Sequence, residues 1–207
     1  MQKNFLGKIP DIITKSTTKL LTIIIALVLL VAAMIFIYCL RMHKIDDLAS
    51  IDLAKAYAAF GSANQQVGIA ILDEVIAKYP KASAAYQAKL SRADVFTEIR
   101  AYDEALNILK ETQNKAKPEA LKPLAAARII HVYDSKKDIF NAITASKEFI
   151  EEYPDHFLVR DIHLNLAEYY ITSGSKEDAL KIFNEILISF PATQEAEKAQ
   201  KRINEIK

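Results

Sequence analysis

The chain has 207 residues, 51% hydrophobic and 26% charged, enough for one membrane segment and one modest domain. Four glycines and six prolines exclude a turn-rich β architecture, and a single cysteine, Cys39, excludes an internal disulfide. The net charge is +1 and the lysines of "KAKPEALK" or "KKD" stand among acids, so no basic stripe offers itself to nucleic acid.

The first predicted element is apolar. Leu20 to Leu40, "LLTIIIALVLLVAAMIFIYCL", carries no charge over 21 residues, and Thr22 is its only strongly polar member. At ~1.5 Å per residue it spans about 31 Å, close to the ~30 Å hydrocarbon thickness. It outruns a cleaved signal peptide and ends in bulky residues, "FIYCLR". Tyr38 stands before Cys39 where a lipoprotein site needs a small residue.

The expectation is an uncleaved signal anchor over residues 20–41, with the lipid bilayer as partner through Leu20–Leu40. A segment of residues 1–19 precedes it. Lys3, Lys8, Lys15 and Lys19 outnumber Arg41 and Lys44, which places the N-terminus in the cytoplasm and the remainder outside. Phe5, Leu6, Ile9 and Ile12 are expected at the interface, while Pro10 argues against one long amphipathic helix. No glycine or proline falls between Leu20 and Phe60, so the helix is expected to run on, bending near Lys44–Asp47, into the next element.

Beyond the apolar segment the chain repeats. Gly68, Ala105, Ala142 and Ala179 are 37 residues apart, and "KYP", "EYP" and "SFP" (Pro80, Pro154, Pro191) close three of the four units. In the second unit "KAKP" puts Pro118 one place late. Ile69, Leu106, Ile143 and Leu180 stand one past each anchor, and Leu72, Leu109, Ser146 and Phe183 four past it. Such spacing makes one apolar helix face, which proline then terminates. The aromatic before each proline is expected to pack on the next unit.

A second helix lies upstream of each anchor. Leu53, Leu90, Ala127 and Leu164 share one offset, Ala56, Ala93, Ile130 and Ala167 the next, and Ala59, Phe96, Tyr133 and Tyr170 a third. Gly61 and Gly174 suit the left-handed position that ends a helix, and Ser175 with Asp178 spells a capping box. The unit is therefore a helical hairpin. One hairpin buries too little apolar surface alone, so four must stack into an all-α solenoid. "TQEAEKAQKRINEIK" (193–207), with Ala196, Ala199 or Gln200, and Ile203 on one side, is expected to cap it.

"LNLAEYYITSGSKEDALKIFNEILISFP" resembles a tetratricopeptide repeat (TPR), through Leu166, Ala167, Tyr170, Ala179, Phe183 and Pro191. "LSRADVFTEIRAYDEALNILKE" matches through Ala93, Phe96 and Ala105, whereas Gly68 and Ser146 depart from the pattern. The resemblance covers residues 46–192. The period exceeds the usual repeat by three residues, which implies a first helix longer by nearly a turn. One anchor plus four hairpins is also similar to the YfgM-like periplasmic TPR proteins, ancillary subunits of the bacterial Sec translocon. That resemblance implies a non-enzymatic protein of the bacterial inner membrane with its TPR domain in the periplasm. Its partners would be translocon subunits, chaperones or secreted chains. The alternative is a structural scaffold for outer-membrane assembly or cell division.

No catalytic, cofactor-binding or metal constellation emerges. Glycines at 7, 61, 68 and 174 form no phosphate loop, and Cys39 lies in the apolar segment. No small-molecule substrate is implied. His156 and His163 share a helix face without a third ligand at fixed spacing, so structural histidines are expected. Carried over residue by residue, the TPR resemblance implies a concave protein-binding face of Lys55, Gln87, Asp94, Thr97, His131, Asp134, Asp161, Glu168 and Thr172. That set is mostly acidic or neutral, which suits basic or apolar segments better than a terminal carboxylate.

Overall fold

The computed structural model describes residues 8–62 and 64–206, with side chains from Leu21 onward. The expectations for Phe5, Leu6, Ile9 and Ile12, and for Lys3, Lys8, Lys15 and Lys19, fall on side chains outside that range. The chain divides into two compact units, residues 1–47 and 48–207.

The described residues of the first unit belong to helix α1 (Lys8–Gly61), which is helical without interruption through Lys44–Asp47. Pro10 lies in its first turn, where its missing N–H breaks no helical bond. Every side chain from Leu21 to Leu40 is exposed, so the helix is apolar all round. It is long and apolar enough to cross a membrane.

The second unit holds the rest of α1, then α2 (Gln65–Lys78), α3 (Ser83–Glu98), α4 (Tyr102–Lys115) and α5 (Leu121–Ser135). It continues with α6 (Ile139–Glu152), α7 (Val159–Thr172), α8 (Lys176–Ser189) and α9 (Gln194–Ile206). No strand occurs among the described residues. From α2 onward each helix packs on its successor, and α3 also touches α5, as α7 touches α9. Hairpins therefore stack first helix on first helix.

The 37-residue period marks the core. Gly68, Ala105, Ala142 and Ala179 are all buried, as are Leu72, Leu109, Ser146 and Phe183 four residues on. Ala56, Ala93 and Ala167 are fully buried on the first helices and Ile130 nearly so. Small residues at these crossings let helices approach closely, and each buried large side chain contributes roughly 1.5–3 kcal/mol. Ser146 fits a large apolar residue's place because its hydroxyl donates to the Ala142 carbonyl at 2.7 Å. At Gly68 a Cβ would meet the Phe60 ring at 2.9 Å, so the ring occupies the usual alanine's space.

The three aromatic-proline stops share one backbone geometry: Tyr79 (φ −126, ψ 51), Tyr153 (φ −130, ψ 54) and Phe190 (φ −129, ψ 50). Their rings reach forward as expected in two cases, Tyr153 onto the cluster that includes Val159 and Ile162 of α7 and Phe190 onto that of α9, but they also reach back. The Tyr79 hydroxyl donates back to Asp52 of its own hairpin at 3.0 Å. Phe190 meets His163 of α7 edge-on at 5.5 Å, though it also touches the cluster containing Ala196 and Ala199. In the second unit Ala116, 1% exposed, takes the buried place.

Turn chemistry brings corrections. Gly174 has φ 84, but Gly61 ends α1 and is not the left-handed residue. The positions one and two periods before Gly174 are Lys137 (φ 62) and Arg100 (φ 63). Ser175 precedes α8 without a side-chain capping bond, and Asp178 is drawn to Lys181 at 3.3 Å, so the capping box does not form. Asp138 caps α6 instead, accepting from the Asn141 N–H, and Thr193 accepts from Ala196 N–H at the start of α9. The extra residues of the long period lengthen α3 to 16 residues, yet α7 has 14, like α8. There the extra length goes into the turn 154–158.

Candidate protein-binding groove

First helices α3, α5, α7 and α9 line three consecutive depressions. Between α3 and α5 lie Asp94, Thr97, Glu98, His131 and Ser135 around about 240 Å³. Between α5 and α7 a cavity of about 350 Å³ has Ile130 and Ile162 in its floor and His131, Asp134, Asn165 and Thr172 at its polar edge. Between α7 and α9 lies a third, of about 360 Å³, with Leu164, Lys198, Lys201 and Arg202. Asn165 and Glu168 belong to both of the last two.

Rungs with a 34-residue offset tie these helices together. The hydroxyls of Tyr57 and Ser91 lie 3.0 Å apart across α1 and α3. Arg128 Nε donates to both oxygens of Asp94 at 3.0 and 3.1 Å. Arg202 donates to both oxygens of Glu168 at 2.6 and 2.7 Å, two parallel bonds that fix guanidinium against carboxylate. Glu168, and then Glu205, raise the Arg202 pKa further. The same offset pairs His131 with Asn165 across α5 and α7, and neither side chain has a hydrogen bond among the described residues.

Of the expected face, the structure gathers Asp94, Thr97, His131, Asp134, Glu168 and Thr172 along these depressions. Thr97 and Thr172 turn their hydroxyls to the carbonyls of Ala93 and Glu168. Burial pushes Tyr169, on the α5–α7 cavity, up to about 12, with the Asp134 charge adding to it. Lys55, Gln87 and Asp161 lie outside the three depressions: Lys55 binds Asp52 at 2.7 Å and Gln87 approaches Ser83 at 3.5 Å.

Lys198, Lys201, Arg202, Arg128 and Asn165 are absent from the expected set. Continuing the register past Glu168 would have reached α9, which packs on α7 and α8 as a fifth first helix. His156 accepts from the Leu158 N–H and packs on Phe149, while His163 bonds the Val159 carbonyl at 2.8 Å. No group of three or more potential metal ligands occurs among the described residues.

Solved structures share this arrangement. A tetratricopeptide repeat protein from Parabacteroides merdae superposes with TM-score 0.62 at 13% identity, over 76% of this chain and 59% of its own. The chain has the TPR fold. PilW, a widely conserved type IV pilus biogenesis factor, superposes with TM-score 0.60 at 18% identity, over 73% of this chain and 67% of PilW. A MamA mutant gives TM-score 0.53 at 17% identity, over 71% and 76%. No protein-family model and no curated protein matches the sequence.

Proposed function

We propose that the chain is a non-enzymatic, membrane-anchored adaptor of the bacterial envelope that binds protein segments in the groove along α3, α5, α7 and α9. The observation that carries this reading is the run of three adjoining depressions, polar at their edges and with apolar surface from Ile130, Ile162 and Leu164 in the two that flank α7. The exposed apolar stretch Leu21–Leu40 supports anchoring through the bilayer, and the lysine excess before it supports a cytoplasmic N-terminus. On this reading the TPR domain faces the periplasm from the inner membrane, near the Sec translocon, and meets translocon subunits, chaperones or secreted chains.

A photo-crosslinking amino acid at His131 or Asn165, with Lys110 and Glu185 as controls on second helices, tests the groove in living cells. Protein adducts confined to the first two positions are expected. Adducts from Lys110 and Glu185 alone would transfer the interaction to the outer surface. Protease protection of a C-terminal tag in spheroplasts tests the side of the membrane.

A second reading is a structural scaffold within an envelope complex. Phe140, 78% exposed on α6, and Ile188, 79% exposed on α8, favour it because they leave apolar surface away from the groove. Stable co-purification of one complex that survives charge changes in the groove would favour this scaffold.

A further inference from the structure

The groove changes sign along its length. Asp94 and Glu168 spend their charge on Arg128 and Arg202, and Arg202 is also held by Glu205 at 2.6 Å. What remains differs at the two ends. Toward α5, Glu98 has no ion pair among the described residues, and Asp134 has only the exposed Lys137 at 3.9 Å. Toward α9, Lys198 and Lys201 edge the third depression without an ion pair among the described residues.

Asn165 stands between the two ends, common to both cavities. Its amide carries donors and an acceptor, the complement of a peptide group. Ile130, Ile162 and Leu164 supply apolar surface beneath, suited to the methylenes of long side chains.

We propose that this groove takes an extended peptide segment with a basic side chain over Asp134 and an acidic side chain over Lys198 and Lys201, its backbone held at Asn165. Adjacent packed helices lie about 10 Å apart and an extended chain rises about 3.3 Å per residue. Asp134 on α5 and the lysines on α9 are two such spacings apart, about 20 Å, so the two charges of the ligand are about six residues apart. A wholly basic segment meets the two lysines, and a wholly acidic one meets Asp134, so charge selects the register as well as the partner. This inference rests on the groove being the interaction surface.

The full chain in detergent micelles, immobilised and panned against a bead-displayed random dodecapeptide library, provides the test. Peptides with a basic and an acidic residue about six positions apart are expected to be enriched. A fluorescein-labelled peptide from that set should lose about tenfold in affinity to a Lys198→Glu/Lys201→Glu variant. Asp134→Lys should shift selection toward acidic residues at both positions. Lys198→Gln/Lys201→Gln repeats the comparison should the reversed variant fail to fold, and far-ultraviolet melts identify that case.

Enrichment without charge preference, the same motif from wild type and double variant, or no enrichment overturns the proposal. So does a charge spacing of three residues or fewer, too short for an extended chain to reach from α5 to α9. Crosslinks from His131 and Asn165 would still stand after any of these results, so the adaptor reading fails only if those crosslinks are missing.

Discussion

Glu168 on α7 and Arg202 on α9 are joined by two hydrogen bonds of 2.6 and 2.7 Å, although 34 positions separate them in the chain. The pair docks the last helix on the last hairpin, beside the buried Ala199 and Ile203. Their side chains are 38% and 32% exposed, so solvent screens the attraction. Glu168→Gln should lower stability by about 0.5–1 kcal/mol, an effect that shrinks in high salt. Amide exchange measured by NMR or mass spectrometry should rise first in α9. An increase spread evenly over the repeats would contradict this docking role.

Gly68 and Phe60 are matched as a pair across the first hairpin. Gly68→Ala puts a methyl 2.9 Å from the far edge of the Phe60 ring, which must then rotate or shift. The cost should be about 1–2 kcal/mol by urea titration, in the range for a mildly overpacked core. Phe60→Leu removes the ring that the methyl meets. In that background Gly68→Ala should be neutral or stabilising, because alanine favours the helix by about 1 kcal/mol over glycine. Equal penalties in both backgrounds would mean the space is limited by something other than the ring.

Arg100 and Lys137 hold the left-handed turn position that Gly174 fills in the last hairpin. A Cβ at such φ costs roughly 1 kcal/mol, which glycine avoids, though glycine also loses more entropy on folding. Arg100→Gly should raise the unfolding midpoint, by up to about 1 kcal/mol in free energy. Lys137→Gly also gives up the weak 3.9 Å approach to Asp134, so its gain should be smaller. Differential scanning calorimetry of the two variants checks both the sign and the order.

Apolar periodicity carried the fold because burial demands it everywhere. The 37-residue phase marks Ala105, Ala142 and Ala179, each fully buried, and the larger residues four positions on. Polar pairings were hidden for a geometric reason. The rungs Asp94–Arg128 and Glu168–Arg202 join neighbouring helices at an offset of 34, so aligning the sequence at its own period never sets the partners side by side. Arg100 and Lys137 were invisible as turn formers because residue type signals that backbone only when it is glycine. Ser175 failed as a cap while Asp138 succeeded, which depends on how each loop delivers the side chain. The face expected from first-helix offsets includes Asp94, His131 and Glu168, which line the depressions, but it stopped short of α9 and its lysines.

Asp52 links acid stability to the first hairpin. Lys55 at 2.7 Å, then the Tyr79 hydroxyl at 3.0 Å, with Lys78 at 3.4 Å, lower its carboxyl from 3.8 to about 2. A depressed carboxyl binds its proton more weakly in the folded chain than in the unfolded one. Its stabilisation is therefore present above pH 3.8 and disappears as pH falls through about 2. Asp52→Asn lacks this dependence. Urea midpoints of wild type and variant should differ most above pH 4 and converge toward pH 2, with wild type the more stable at the upper end. Tyr79→Phe should narrow the same gap, since it removes one donor to the carboxylate. A gap that stays constant across this window would mean that the stabilisation at Asp52 does not depend on its charge.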